Sequence, residues 1–141
     1  MTEKKRVLFL CTGNSARSQM AEGLLRQLAG HRFEVCSAGI LPSFVRPQAI
    51  AVMNEVGIDI SGHLSKSLDE FLDTPLDYVI TVCDHASQRC PVFPGSVRRI
   101  HWSIDDPVIS GSEETQLEAF RHARDELQER IRGFIDQPDR S

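Results

Sequence analysis

The hydrophobic and polar positions along the chain divide it into strand-like apolar runs and helix-like stripes. The apolar runs predict four β-strands, at Arg6–Cys11, Phe33–Ala38, Leu76–Cys83 and Val97–Trp102. Stripes at helical spacing predict a helix from about Ser15 to Leu28, one that begins at Pro47 and ends before Gly57, a short one over Leu68–Leu72, and a long C-terminal one. Because strands that alternate with helices favour parallel pairing, the pattern predicts an α/β fold with a four-stranded parallel sheet flanked by helices.

The final helix has the longest apolar stripe. Ser110 and Glu113 have the spacing of a capping box, which predicts its start, and Asp136 to Ser141 are expected to fray. Its buried face is expected to hold Leu117, Phe120, Leu127, Ile131 and Phe134. In the second helix, Ile50, Met53 and Val56 have helical spacing.

Length, composition and charge narrow the class of protein. With 141 residues, 40% of them hydrophobic, the chain is expected to form a single domain over residues 1–141. A net charge of −4 argues against a nucleic-acid or anionic-membrane partner. The apolar run that ends at Cys11 is too short for a signal peptide or membrane span, so a cytoplasmic protein is expected.

The four cysteines are expected to be free thiols, because structural disulfides are rare in a reducing compartment. Cys83, His85 and Cys90 are the only candidates for a zinc site, but their spacing matches no common zinc pattern, so no metal is predicted. Cys36 lies inside a strand pattern and is assigned to packing. Among the other candidates, His31, His63 and His122 are expected on the surface, and Trp102 in the core.

The segment from Cys11 to Arg17 carries the strongest chemical signal. An apolar strand leads into a short turn with Gly13 and Asn14, which tolerate left-handed backbone, and a helix follows. This order predicts an anion-binding loop in which backbone N–H groups and the helix dipole hold an oxyanion, as Arg17 closes the site with its guanidinium. The loop residues are Thr12, Gly13, Asn14, Ser15, Ala16, Arg17 and Ser18. The same field favours a thiolate nucleophile at Cys11; the alternative is a buried strand-end cysteine with a surface arginine.

Cys83 closes another predicted strand. Because ligand sites in parallel sheets form outside the carboxyl ends of the strands, Cys11 and Cys83 are expected to face the same crevice.

The stretch Val7–Gly23 resembles the signature of low-molecular-weight tyrosine phosphatases and, more closely, of the thioredoxin-coupled arsenate reductases built on that fold. Further matches follow in order over nearly the whole chain: Ser37-Ala38-Gly39, Val56 to Ser61, Val82-Cys83, His101-Trp102 and Asp105-Asp106-Pro107. The resemblance implies a three-layer, Rossmann-like single domain.

The resemblance also implies a mechanism. Cys11 would attack arsenate while Asp106, the Asp before Pro107, protonates the departing oxygen; Cys83 would then attack the Cys11 sulfur, and Cys90 would resolve the disulfide. A flexible segment over residues 84 to 90 would permit this exchange. No tightly bound cofactor is implied. The external reductant would be thioredoxin, with glutaredoxin and glutathione left open, and phosphate or sulfate would mimic arsenate in a monomeric protein.

Some relatives hold a monovalent cation near residues that match Asn14, Glu22 and Ser37. Lys66 occupies the position where those relatives have an Asp, so its ammonium is expected to replace the cation, without potassium dependence.

Two other functions stay open. A tyrosine phosphatase would use the same loop, although Val108-Ile109-Ser110 follows the Asp-Pro pair where classical members have aromatic residues. A non-enzymatic thiol sensor or arsenite-binding module would use Cys83 and Cys90, but it leaves Arg17 and Asp106 unexplained.

Overall fold

A computed structural model describes residues 4–140 and contains the expected four-stranded parallel sheet, in the order β2-β1-β3-β4. The strands are β1 (Lys5–Cys11), β2 (Phe33–Gly39), β3 (Tyr78–Thr81) and β4 (Arg98–His101). The α-helices are α1 (Arg17–Ala29), α2 (Pro47–Asn54), α3 (Asp84–Gln88) and α4 (Glu113–Asp136), with 3-10 turns at Leu68–Phe71 and Pro138–Arg140. Strand order reverses at β1, so the carboxyl ends of β1 and β3 form the crevice where such sheets bind ligands.

Strand β1 lies at the centre of the sheet. Val7, Leu8, Phe9 and Leu10 have no solvent exposure, because a central parallel strand is covered on both faces. Helix α1 packs closely against α2 and the segment that follows it: a Cβ atom at Gly23 would lie 2.8 Å from Cγ2 of Ile60 and 3.2 Å from Cε of Met53. A side chain at position 23 would therefore push α1 away from these residues.

The structure confirms most of the apolar stripe that was predicted for the last helix, α4. Phe120, Leu127, Ile131 and Phe134 are buried, Leu117 is half-buried, and Trp102 is in the core as expected. Within residues 4–140, no helix is both long and apolar enough to span a membrane.

Two helix boundaries were wrong in the sequence prediction. The cap of α4 is Ser112, whose Oγ accepts the N–H of Thr115 at 3.1 Å, so Glu113 is the first helical residue and Ser110 lies outside. Helix α2 ends at Asn54, which leaves Val56 exposed instead of on a buried face. Both errors arise because apolar spacing does not locate a helix end to within a turn. Residues 138–140 form a 3-10 turn, whereas fraying was expected; Ser141 lies outside the described residues.

The third strand is also shorter than predicted. It ends at Thr81, and Cys83 instead caps α3 by accepting the N–H of Ala86 on its sulfur at 3.4 Å. The segment of residues 84 to 90, which was expected to be flexible, contains a short helix over Asp84–Gln88.

Candidate active site

The loop between β1 and α1 directs its carbonyl groups away from the site. The oxygens of residues 11, 12, 13 and 15 accept N–H groups from Ile40, Leu41, Ser43 and Arg46 at 2.8 to 3.1 Å. In the described part of the chain, the N–H groups of residues 12–16 have no protein acceptor. A row of unpaired amides beside a helix N-terminus is suited to bind a tetrahedral anion.

Tight packing sets the shape of this loop. Asn14 has a φ of 48°. Of Gly13 and Asn14, the two residues expected to permit left-handed backbone, only Asn14 adopts this conformation. A Cβ atom at Gly39 would lie 2.8 Å from both the Asn14 nitrogen and the Thr12 oxygen. A side chain at position 39 would therefore displace the loop.

Hydrogen bonds direct a proton donor at the Cys11 sulfur. The Asn14 side-chain amide donates to Ser18 Oγ at 2.8 Å, and Ser18 Oγ lies 2.8 Å from Cys11 Sγ. Because the amide nitrogen can only donate, the Ser18 hydroxyl keeps its own proton for the sulfur. This arrangement supplies a hydrogen bond to the Cys11 sulfur, which is buried at the end of β1.

Arg17 and Asp106 face each other at the mouth of the loop. Arg17 Nη1 donates to the Ile104 oxygen at 2.9 Å, and its Nη2 lies 3.9 Å from Asp106 Oδ2. The other Asp106 oxygen accepts the N–H of Val108 at 3.0 Å, and the side chain is 60% exposed. An exposed carboxyl group beside the guanidinium is able to exchange a proton with a ligand held at the loop.

Cys83 lies beside the loop, whereas Cys90 does not. Cys83 Sγ is 3.3 Å from Thr12 Oγ1, one residue after Cys11. Cys90 follows the far end of α3, is half-buried, and has its backbone oxygen bound by Arg99 at 3.0 Å. All four cysteines are free thiols. The structure thus places Cys11, Arg17, Cys83 and Asp106 at one end of the sheet. Cys90 lies beyond the opposite end of α3 from Cys83.

Sequence reasoning missed two residues that support Asn14. Gln19 Nε2 donates to both the backbone oxygen and Oδ1 of Asn14 at 3.0 Å, and Gln19 Oε1 lies 3.0 Å from His63 Nδ1. His63 was expected on the surface, but its side chain is only 15% exposed, and burial lowers its pKa. The available signal was Gln19, a polar residue directly before the apolar pair Met20-Ala21 of α1.

The expectation that the Lys66 ammonium occupies a cation position was wrong. Lys66 Nζ donates to the Leu64 oxygen at 3.1 Å; the backbone N–H of Lys66 donates to Asn14 Oδ1 at 2.8 Å, but among the described residues its ammonium makes no hydrogen bond to Asn14, Glu22 or Ser37. Ser37 donates to Glu22, and Arg26 forms a 2.6 Å ion pair with Glu22. The carboxylate is thus neutralised by a guanidinium. Within residues 4–140, no group of three or more His, Cys, Asp or Glu side chains is arranged to hold a metal ion.

Cys36 is expected to resist alkylation in the native protein. Burial, followed by the charge of Glu22, raises the pKa of its thiol to about 12, so almost no thiolate forms at pH 8. Brief treatment with iodoacetamide, followed by peptide mass spectrometry, should modify Cys36 at least about tenfold more slowly than half-buried Cys90. Unfolding the protein first should remove the difference; equal native rates would contradict the assignment of Cys36 to packing.

Comparisons with known proteins agree with this geometry. Residues 6–141 match the family described as low molecular weight phosphotyrosine protein phosphatase. An arsenate reductase from Halalkalibacterium halodurans is 45% identical over 134 residues, which cover 94% of this chain and 96% of that protein.

The chain is also similar to solved structures of arsenate reductases. An arsenate reductase in the oxidized state is 37% identical, with a TM-score of 0.82 over 94% of this chain and 98% of that one. A thioredoxin-dependent arsenate reductase from Corynebacterium glutamicum is 32% identical, with a TM-score of 0.66 over 93% of this chain and 63% of that one.

Proposed function

The chain belongs to the low molecular weight phosphotyrosine protein phosphatase family and is an arsenate reductase of that family; we propose that three of its cysteines pass electrons from thioredoxin to arsenate. The observation that carries this proposal is the contact between Cys83 and Thr12, which places a second thiol beside the anion loop. A phosphatase needs no second thiol, because water can complete the hydrolysis. A reductase needs one, because two electrons must reach arsenic.

In the first step, the Cys11 thiolate attacks arsenate bound by the loop amides and Arg17. A sulfur–arsenic bond forms and an arsenic–oxygen bond breaks, and the departing hydroxide takes a proton from Asp106 to leave as water. Arsenic remains in the +5 state. The Ser18 hydroxyl, 2.8 Å from the sulfur, stabilises the thiolate before the attack.

In the second step, the Cys83 thiolate attacks the Cys11 sulfur. The sulfur–arsenic bond breaks and its electron pair stays on arsenic, which leaves as arsenite in the +3 state. The two cysteines have lost two electrons and form a Cys11–Cys83 disulfide. The contact of Cys83 with Thr12, the residue after Cys11, supports this step.

In the third step, the Cys90 thiolate attacks Cys83 and releases the Cys11 thiolate. Cys83 is the N-cap of α3 and Cys90 follows its C-cap Arg89; six steps at a helical rise of about 1.5 Å put the Cα atoms of the two caps about 9 Å apart, with Cys90 beyond the second cap. A disulfide requires less than about 7 Å. Helix α3 must therefore unwind before the Cys83–Cys90 disulfide forms, and a thioredoxin dithiol then reduces that disulfide.

A coupled assay tests the proposal. Wild-type protein with arsenate, thioredoxin, thioredoxin reductase and NADPH should consume NADPH continuously and produce one arsenite for each NADPH. A parallel reaction with glutathione, glutaredoxin and glutathione reductase tests the other reductant. Turnover only in the second reaction would contradict the thioredoxin step, and turnover in neither would contradict the cysteine mechanism.

Potassium is expected to leave the reaction unchanged. Asn14 donates to Ser37, Ser37 donates to Glu22, and Glu22 pairs with Arg26, so a cation would have to displace the Arg26 guanidinium. Replacing sodium chloride with potassium chloride at constant ionic strength should change kcat/KM for arsenate by less than about twofold. A clear rise with potassium would contradict this prediction, and the Arg26→Gln variant should show such a rise if removing the guanidinium opens the site.

A further inference from the structure

A cluster of polar side chains joins the first residue of α3 to the sheet. We call it the Asp84 cluster; it consists of Thr81, Asp84, His101 and Ser103. Asp84 Oδ1 lies 2.8 Å from His101 Nε2 and 3.0 Å from Ser103 Oγ. His101 Nδ1 lies 2.7 Å from Thr81 Oγ1. The cluster therefore connects α3 with β3 and β4.

The chemical nature of the groups in the Asp84 cluster determines which of them donate its hydrogen bonds and which accept them. A carboxylate can only accept hydrogen bonds, so His101 Nε2 carries a proton and donates it, as Ser103 does with its hydroxyl. The bonds from His101 and then Ser103 lower the pKa of Asp84, which keeps the carboxylate charged at neutral pH. Asp84 also lies in the first turn of α3, where its negative charge interacts favourably with the helix dipole and stabilises the helix.

Helix α3 needs such external support. It has five residues, far fewer than the length at which a helix is stable alone. Ala86 is its single buried residue within the described chain. A cavity of about 300 Å³ lies beside it, lined in part by Ser87, Cys90 and His101. The helix is thus held by its first residues and loosely packed along its length.

We propose that Asp84 and His101 are positioning residues that keep α3 closed, so that Cys83 stays beside the anion loop until the Cys11–Cys83 disulfide has formed. The inference rests on the proposed function, in which α3 must unwind before Cys83 can meet Cys90. Weakening the bond between Asp84 and His101 raises the fraction of open α3, and the transfer of the disulfide to Cys90 becomes faster.

The test compares two histidine variants. His101→Leu removes the donor to Asp84 and leaves the Asp84 carboxylate near Arg17. His85→Leu is the matched control, because His85 is an exposed residue of α3 whose side chain makes no hydrogen bond with any described residue. Ser103→Ala removes the second donor and serves if His101→Leu does not fold.

Hydrogen exchange of the reduced protein without arsenate gives the first readout. The N–H groups of Ser87 and Arg89, bonded to the oxygens of Cys83 and His85, should exchange about threefold to tenfold faster in His101→Leu than in wild type. Exchange in α4 should be unchanged, which separates local opening from a general loss of stability. His85→Leu should match wild type in both helices.

The rate of disulfide transfer gives the second readout. After mixing with one equivalent of arsenate and quenching with acid, peptide mapping should show the Cys83–Cys90 disulfide forming faster in His101→Leu by a similar factor. Unchanged exchange in α3, or faster exchange without faster disulfide transfer, would overturn the inference while wild type still forms the disulfide. A wild-type protein that never forms it would refute the proposed function as well.

Discussion

Replacing Cys11 by Ser is expected to abolish arsenate reduction, with a rate below about one ten-thousandth of wild type. The Ser hydroxyl is a far weaker nucleophile than a thiolate, and the donor from Ser18 and the loop amides cannot ionise it at neutral pH. Without a sulfur–arsenic bond, Cys83 has no activated sulfur to attack. The measurement is NADPH consumption in the coupled assay, together with direct detection of arsenite.

Cys36→Ser is the matched control for this variant. Cys36 lies on β2 beside β1, and its sulfur donates only a 3.5 Å bond to the Val7 oxygen, which a hydroxyl can replace. Its turnover should stay within about twofold of wild type. Cys11→Ser should still bind phosphate or sulfate, because the loop amides and Arg17 are intact. Measurable turnover in Cys11→Ser would contradict the role of Cys11 as the nucleophile.

The second large effect is expected for Cys83→Ser, which should lower arsenate turnover by at least about a thousandfold. Cys83 supplies the sulfur that takes the place of arsenic on Cys11, and no other described thiol contacts the loop. Hydrolysis of para-nitrophenyl phosphate, which requires only Cys11, Arg17 and Asp106, should persist at the wild-type level, however low that is. The pair of assays therefore separates electron transfer from nucleophilic attack.

Cys90→Ser is the third variant in this comparison. Arsenate reduction by this variant should stop after one turnover. It should release one arsenite per protein molecule and accumulate the Cys11–Cys83 disulfide, which mass spectrometry can detect. If Cys83→Ser and Cys90→Ser both keep full arsenate turnover, the three-cysteine mechanism is wrong. If wild type hydrolyses aryl phosphates rapidly but reduces no arsenate, the chain is a phosphatase; a thiol sensor would show neither activity.

Much of the fold follows from the sequence because its strongest signals are local. The apolar run of β1 predicted a strand of a parallel sheet, and Val7 to Leu10 form such a strand and are fully buried. Helix ends were less predictable, as Ser112 and Asn54 show, because several residues near each end are able to cap it. The short α3 carries almost no apolar periodicity, so its pattern could not distinguish a helix from an irregular loop.

In the candidate site, too, the features set by consecutive residues were predictable, and the contacts between distant residues were not. The order of strand, Gly13-Asn14 turn and helix is a property of consecutive residues, so the chain alone predicted an anion loop with Cys11 and Arg17 at its ends. The contacts of Thr12 with Cys83, of Gln19 with His63, and of Asp84 with His101 join residues far apart in the chain. Such contacts depend on how β1, β3 and β4 pair in register and on how α1 and α3 pack against the sheet. No periodicity within a single segment encodes these distances, and only the folded chain brings the groups within bonding range.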